Sequence, residues 1–132
     1  MKVLCDTNLF VKFVHRLPLP KGMEAVLDNE QTERFISAVS VIEIFRLWQA
    51  GRLPENPDTW LNLALPSWTV VPIGVDIARQ SALWPWDHKD PADRLIAATA
   101  LVEKLPLWHT DTILKKLTGF PQRYHTNVLG SP

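Results

Sequence analysis

The sequence predicts an α/β fold with a central, mostly parallel sheet of four to five strands and helices on both faces. Three observations predict it. Short apolar runs of strand character alternate along the chain with helical segments, the pattern of βαβ units. The first run, Val3, Leu4 and Cys5, is apolar at every position, as in a strand buried on both faces. With 132 residues, 46% of them hydrophobic, the chain has the size of one domain, 1–132, with a substantial core.

Taken in order, residues 1–5 form strand one. Asp6, Thr7 and Asn8 follow and can cap a helix that runs through Phe10, Val11, Phe13 and Val14. Leu17-Pro18-Leu19-Pro20 breaks that helix. Residues 21–28 can form a second short helix, and 29–32 a polar loop. Residues 34–39 read as strand two. Ser40-Val41-Ile42-Glu43 then has the form of a capping box opening a helix to about Ala50, with Gly51 as its stop. Asn56-Pro57-Asp58 starts a helix through Trp60, Leu61 and Leu63 that Pro66 ends. Residues 68–73 form strand three, and Pro72 points to an edge position. Residues 76–83 are helical, and 84–89 form a loop.

The following segment has the clearest local chemistry. Asp90 suits the N-cap, Pro91 the first helical position and Asp93 the third, where a negative charge meets the positive end of the helix dipole. Leu95, Ile96, Ala97, Ala98 and Ala100 give a small apolar surface suited to packing on a sheet. Residues 105–109 form strand four and lead to Thr110 and Asp111. A short helix to Gly119 and a last strand over residues 124–129 complete the chain.

Composition removes several function classes. There are 14 basic and 14 acidic residues, so no global positive field marks a nucleic-acid binder, and any such site is a local patch. The one cysteine, Cys5, lies in an apolar run and reads as a small buried hydrophobe. No apolar run reaches the roughly 18 residues of a membrane helix, and the N-terminus enters a strand pattern without a signal peptide's apolar region. A cytoplasmic location is expected. The six tryptophans have no functional reading beyond packing.

In an open parallel sheet, ligands bind outside the carboxyl ends of the strands, near the switch in strand order. Asp6 follows strand one, Asp111 follows strand four, and Glu43 and Asp93 are each expected in a first helical turn. Four carboxylates from distant parts of the chain thus fall on one rim. Crowded carboxylates raise each other's pKa, so some are protonated or a hard cation sits among them. Mg²⁺ or Mn²⁺ would suit oxygen ligands, activate water and offset charge on a phosphate. Each residue also has a plain structural role open to it: Glu43 in the capping box, Asp93 at the helix dipole, Asp6 in a turn, Asp111 as a cap. No Gly-rich phosphate loop, Cys/His zinc spacing or serine elbow competes.

Val3-Leu4-Cys5-Asp6-Thr7-Asn8, Ser40-Val41-Ile42-Glu43, His88-Lys89-Asp90-Pro91-Ala92-Asp93-Arg94-Leu95-Ile96-Ala97-Ala98-Thr99-Ala100 and Thr110-Asp111 together resemble the PIN domain. More narrowly, they resemble the VapC-type toxins of toxin–antitoxin pairs, with all four motifs in that family's order. The resemblance implies a three-layer PIN-like sandwich and a metal-dependent endoribonuclease, usually dimeric, inhibited by a cognate antitoxin. It implies Asp6, Glu43, Asp93 and Asp111 as catalytic residues, with Asp6, Asp93 and Asp111 on Mg²⁺ or Mn²⁺ and Glu43 as ligand or water orienter. Thr7, Asn8 and Thr110 would be supporting polar groups and Asp90 a helix cap. Lys12, Arg46, Lys89, Arg94 and Lys115 are candidates for contact with RNA phosphates. Residues 17–29 and the Trp84-Pro85-Trp86 approach depart from the family pattern. Two other classes remain: a PIN-like binding module without catalysis, and a Mg-dependent phosphotransfer enzyme. The second fits poorly, because Asn8 stands where a dehalogenase-type site needs a second aspartate.

Overall fold

The computed structural model describes residues 1–126. Its strands are β1 (Lys2–Cys5), β2 (Glu33–Ser37), β3 (Thr69–Val71), β4 (Leu107–His109) and β5 (Gln122–Tyr124). They form one sheet in the order β3-β2-β1-β4-β5, and every pairing is parallel. The register sets Val3 beside Arg34, Leu4 beside Leu107, Ile36 beside Val70 and Trp108 beside Arg123. β1 is central in this order, and its unbroken apolar run is buried on both faces, as expected. β3 lies at the edge, as Pro72 predicts.

The helices among the described residues are α1 (Thr7–Val14), α2 (Met23–Asp28), α3 (Ala38–Gln49), α4 (Leu61–Ala64), α5 (Val75–Leu83), α6 (Pro91–Glu103) and α7 (Thr112–Lys115). Strand residues alternate between two cores, because successive side chains leave opposite faces of a sheet. Val3, Cys5, Ile36 and Trp108 join Leu9, Phe10, Met23, Leu27 and Leu61, which puts α1, α2 and α4 on one face. Leu4, Val71 and Leu107 join Ile77, Ile96, Ala98, Ala100 and Leu114, which puts α5, α6 and α7 on the other. α3 contributes Ile44 to the first core and Val39 to the second. Cys5 is fully buried in the first core, and burial pushes its thiol pKa up, away from reactivity.

Four expectations change. α3 begins at Ala38, three residues earlier than Ser40-Val41-Ile42-Glu43 suggests. Ser37 is both the last residue of β2 and the N-cap, its hydroxyl accepting from the Val39 N–H. The capping box therefore does not form: Ser40 is buried inside the helix, and Glu43 falls in its second turn. The helix expected from Asn56 to Pro66 is three pieces, with 3₁₀ turns at Pro57–Thr59 and Leu65–Ser67 flanking α4, because Pro66 is accommodated in a turn instead of ending an α-helix. The helix after Asp111 is the single turn of α7. The last strand is earlier than expected; Tyr124 belongs to β5, and residues 127–129 lie outside the described residues.

The strand order reverses direction beside β1. From it, β2 and β3 step one way, and β4 and β5 the other. A crevice therefore opens at the carboxyl ends of β1 and β4. Asp6 and Asp111 stand there.

Candidate active site

Helix starts build most of this site. Asp6 is the N-cap of α1, its Oδ1 accepting from the Thr7 N–H at 2.9 Å. Asp111 is the N-cap of α7, its Oδ1 accepting from Ile113 at 2.7 Å and Leu114 at 3.3 Å. Asp90 caps α6 through bonds from Ala92 and Asp93, with Pro91 at the first helical position and Asp93 at the third, as the sequence predicts. Asp93 Oδ2 lies 2.8 Å from His88 Nε2. Glu43 Oε1 accepts from the Thr7 hydroxyl at 2.5 Å, and Ser40 Oγ lies 2.8 Å from the same hydroxyl oxygen. Thr7 has one proton to give, so Ser40 donates to Thr7 and Thr7 to Glu43.

All four carboxylates line one open cleft of about 930 Å³, shared with Thr7, Asn8, Asp90 and Arg46. Among the described residues each is tied by hydrogen bonds through one oxygen only: Oδ1 of Asp6, Oε1 of Glu43, Oδ2 of Asp93 and Oδ1 of Asp111. Their charges act on one another. Burial first, then the charges of Asp93 and Glu43, push the Asp6 pKa up to about 7, with the Thr7 N–H bond opposing and Asp111 adding a smaller push. Burial also raises Glu43 and Asp93, opposed by the hydrogen bonds from Thr7 and His88 respectively.

This donor set fits a cation in its chemistry: hard oxygens, one unused oxygen on each group, and repulsion that a positive charge would relieve. It does not form a closed cage. Among the described residues no three Asp, Glu, His or Cys side chains stand close enough to wrap an ion directly. The arrangement therefore suits a metal that keeps much of its water shell, as Mg²⁺ does.

The other candidates divide. Asn8 is exposed at the cleft, and Thr110 is half-buried without a hydroxyl partner among the described residues. Arg46 lines the cleft; Lys12, Lys89 and Lys115 do not. Lys89 bonds the Trp86 carbonyl at 3.3 Å, and Lys115 sits 4.5 Å from the Tyr124 ring centroid. Arg94 is not available to phosphate. It is 9% exposed, and its guanidinium donates to the carbonyls of Ser81 at 2.7 Å, His88 at 2.9 Å and Trp86 at 3.4 Å, and to that of Trp84. The same guanidinium lies over the Trp86 ring, which stacks on Trp84 at 4.1 Å and 10°. The two departing tryptophans thus form the floor of the loop that presents His88 to Asp93.

Sequence reasoning passed over His88, Arg52 and His109. Arg52 lines the cleft. His109 is fully buried: its Nδ1 accepts from the Asp111 N–H at 3.1 Å, which leaves Nε2–H to donate to Gln122 Oε1 at 2.7 Å. Gln122 then donates to the Leu117 carbonyl at 2.8 Å, so the backbone under Asp111 is braced from β5. Burial lowers the His109 pKa, in keeping with this neutral tautomer. The one available signal was position, since His109 ends β4 and His88 precedes the Asp90 cap.

A family model described as PIN domain matches residues 3–119. Solved structures share the fold. VapBC2 from Rickettsia felis, bound to a DNA fragment from its promoter, aligns with a TM-score of 0.74 at 15% identity, over 94% of this chain and 98% of that one. DNA-bound VapBC from Salmonella typhimurium aligns at 0.68 and 16%, over 93% and 97%. A toxin–antitoxin complex from Klebsiella pneumoniae aligns at 0.55 and 19%, over 83% and 87%. No curated protein matches the sequence.

Proposed function

Because this chain belongs to the PIN domain family, whose members are generally nucleases, we propose that it is a metal-dependent endoribonuclease and the toxin of a toxin–antitoxin pair. Its substrate is single-stranded or loop RNA, its location the cytoplasm, and residues 1–132 work as one domain. The supporting observation is the cleft itself: four carboxylates from the end of β1, α3, α6 and the end of β4, each anchored through one oxygen with the other unused among the described residues.

Asp6, Asp93 and Asp111 would hold Mg²⁺ or Mn²⁺, directly or through its waters. When bound, the ion makes water a better nucleophile and offsets charge on the phosphate. His88 fixes the Asp93 rotamer, and the His109–Gln122 bond fixes the loop that carries Asp111. Glu43 orients the attacking water and takes its proton at Oε2, while Thr7 holds Oε1. The water oxygen bonds to phosphorus as one P–O ester bond breaks, the leaving oxygen takes a proton from solvent water, and Glu43 releases its own to solvent. Apart from the metal, the acidic cleft repels a polyanion, so local cations have to guide the strand.

The partner follows from the same charge. A small antitoxin would place an Arg or Lys among Asp6, Asp93 and Asp111, where a guanidinium can make bidentate bonds and exclude the metal. A homodimer is also proposed, supported by exposed apolar side chains at Val75, Leu83 and Ile113 on the α5–α7 side of the sheet. RNA cleavage by the purified protein, with and without EDTA and in Asp93→Asn, tests the activity. Cleavage that survives both changes overturns it. Sedimentation as a monomer at micromolar concentration overturns the dimer, and an antitoxin complex with the acidic cleft untouched overturns the inhibition.

A further inference from the structure

The cleft has a second chemical character beyond its carboxylates. Along α3, Glu43, Arg46, Leu47 and Ala50 all line it, at the i, i+3, i+4, i+7 spacing of a single helical stripe. The stripe begins acidic and becomes cationic and apolar toward the helix end. A residue of α-helix rises about 1.5 Å, so Arg46 stands one turn beyond Glu43, away from the other carboxylates.

Arg52 is brought to the same wall by the way α3 stops. Gly51 takes a left-handed conformation at φ +76, its N–H bonds the Trp48 carbonyl, and the Arg52 N–H bonds the Leu47 carbonyl at 2.8 Å. This is a Schellman closure, and it folds Arg52 back beside the last turn instead of letting it continue along the axis. Leu53 follows it into the cleft, where Val11 and Leu47 complete an apolar part of the lining.

Among the described residues neither guanidinium has a hydrogen bond or an ion pair, and both side chains are exposed. Arg46 does pull the Glu43 pKa down, but weakly compared with burial. A helix-dipole role would account for Arg46 in the last turn but not for Arg52, which lies beyond the helix. Two unpartnered planar cations, on an apolar lining, next to a hydrolytic site, match the chemistry of a phosphodiester chain.

We propose that Arg46 and Arg52 form a cationic subsite that grips a backbone phosphate of bound single-stranded RNA, further along the strand from the phosphate at the carboxylates. The inference rests on the ribonuclease reading and adds where the strand runs: from the Asp6–Asp93–Asp111 end, past Glu43, along the last turn of α3. It makes the two arginines binding groups that leave the chemical step alone.

The test combines binding and kinetics in the full chain. A labelled short single-stranded RNA is titrated against Asp93→Asn protein in Mg²⁺ over a range of salt, with and without Arg46→Gln, Arg52→Gln and Arg52→Lys. Each Arg→Gln change is expected to weaken binding roughly tenfold. Each should also lower the slope of log affinity on log salt by about 0.7. Arg52→Lys should keep the slope, because it keeps the charge. In otherwise unaltered protein, the same Gln variants should raise KM for cleavage and leave kcat within about twofold.

Normal cleavage with unchanged affinity and salt slope in the Gln variants overturns the subsite and leaves the nuclease standing. Binding that follows the expected slopes in a protein that never cleaves supports the subsite and overturns the nuclease. Unmoved RNA affinity with lost antitoxin binding also overturns the subsite, assigning the pair to a protein partner. Failure of the unaltered protein to bind RNA overturns both.

Discussion

The Thr7 hydroxyl has one proton, and Ser40 leaves it directed at Glu43. A buried threonine with two polar partners, one of them a carboxylate, cannot be replaced by valine without stranding both. Thr7→Val is therefore expected to lower stability by about 1–3 kcal/mol in a denaturant melt and to slow cleavage. Glu43→Gln separates the two contributions. The amide oxygen can still accept from Thr7, so the melt should hardly move while cleavage is lost. Full activity in that variant would leave Glu43 a structural group. Asp6 gives a pH signature. Its pKa is raised from 3.8 to about 7 in the folded protein, so the folded state binds a proton that the unfolded state has already released between those values. In EDTA its contribution to stability should therefore fall as pH rises from about 4 to 7. Asp6→Asn should flatten that part of the profile, and an unchanged profile would mean that neither burial nor the neighbouring charges raise the Asp6 pKa. Asp6, Asp93 and Asp111 were legible on the rim because each follows a strand or starts a helix, whereas Glu43 reaches the cleft from the second turn of α3 and not from the capping box that pointed to it. Ser40 misled the sequence reading: two serines, Ser37 and Ser40, both fit a helix start, and only the tertiary contact with Thr7 of α1 decides between them.

At the scale of an element, Arg94 joins the end of α5 to the start of α6. It bonds the Ser81 carbonyl in the last turn of α5, the carbonyls of Trp84, Trp86 and His88 in the loop, and covers the Trp86 face. Lysine keeps the charge but cannot present a planar fork to several carbonyls. Arg94→Lys is expected to lower stability by about 2–3 kcal/mol and to loosen His88 from Asp93, raising the metal concentration needed for half-maximal activity. An unaltered melt would show the clamp to be dispensable. Gly119 tests the loop from behind. A Cβ there would lie 2.8 Å from Trp84 Nε1, at a φ of +100 that already disfavours a side chain. Trp84 is backed by Trp86 and Phe120 and has little room to retreat. Gly119→Ala should cost about 1–3 kcal/mol in the same melt, and a neutral outcome would mean that the loop yields. None of this could be read from the sequence, because a carbonyl clamp leaves no residue pattern and Arg94 looks like any helix-surface cation.

For the molecule as a whole, charge repulsion and metal affinity are one quantity seen twice. A ligand that binds only the folded state stabilises it by mass action, by roughly 2.7 kcal/mol at about a hundred times its dissociation constant. Millimolar Mg²⁺ or Mn²⁺ should therefore raise the melting temperature, and Asp93→Asn should remove most of that rise without unfolding the protein. A melt indifferent to both ions would remove the metal from the proposal. The parallel sheet, the burial of its first strand on both faces and its edge third strand were all legible, since they depend on apolar patterning and one proline. The open spacing of the carboxylates was not. Sequence places them on one rim, but the distance across a rim depends on how helices tilt and pack.

The central position of β1 also fixes when the site can exist during synthesis. β1 is the first strand made, yet one of its edges waits for β4, and the cleft waits for Asp111 after it. Until about residue 111 has emerged from the ribosome, a growing chain holds Asp6 and Glu43 without their partners and presents an apolar strand with an open edge. Nascent chains would then be inert toward the messenger that encodes them and the ribosome that makes them. Chains stalled before residue 107 should cleave nothing, whereas chains extended through β5 should be active on emergence.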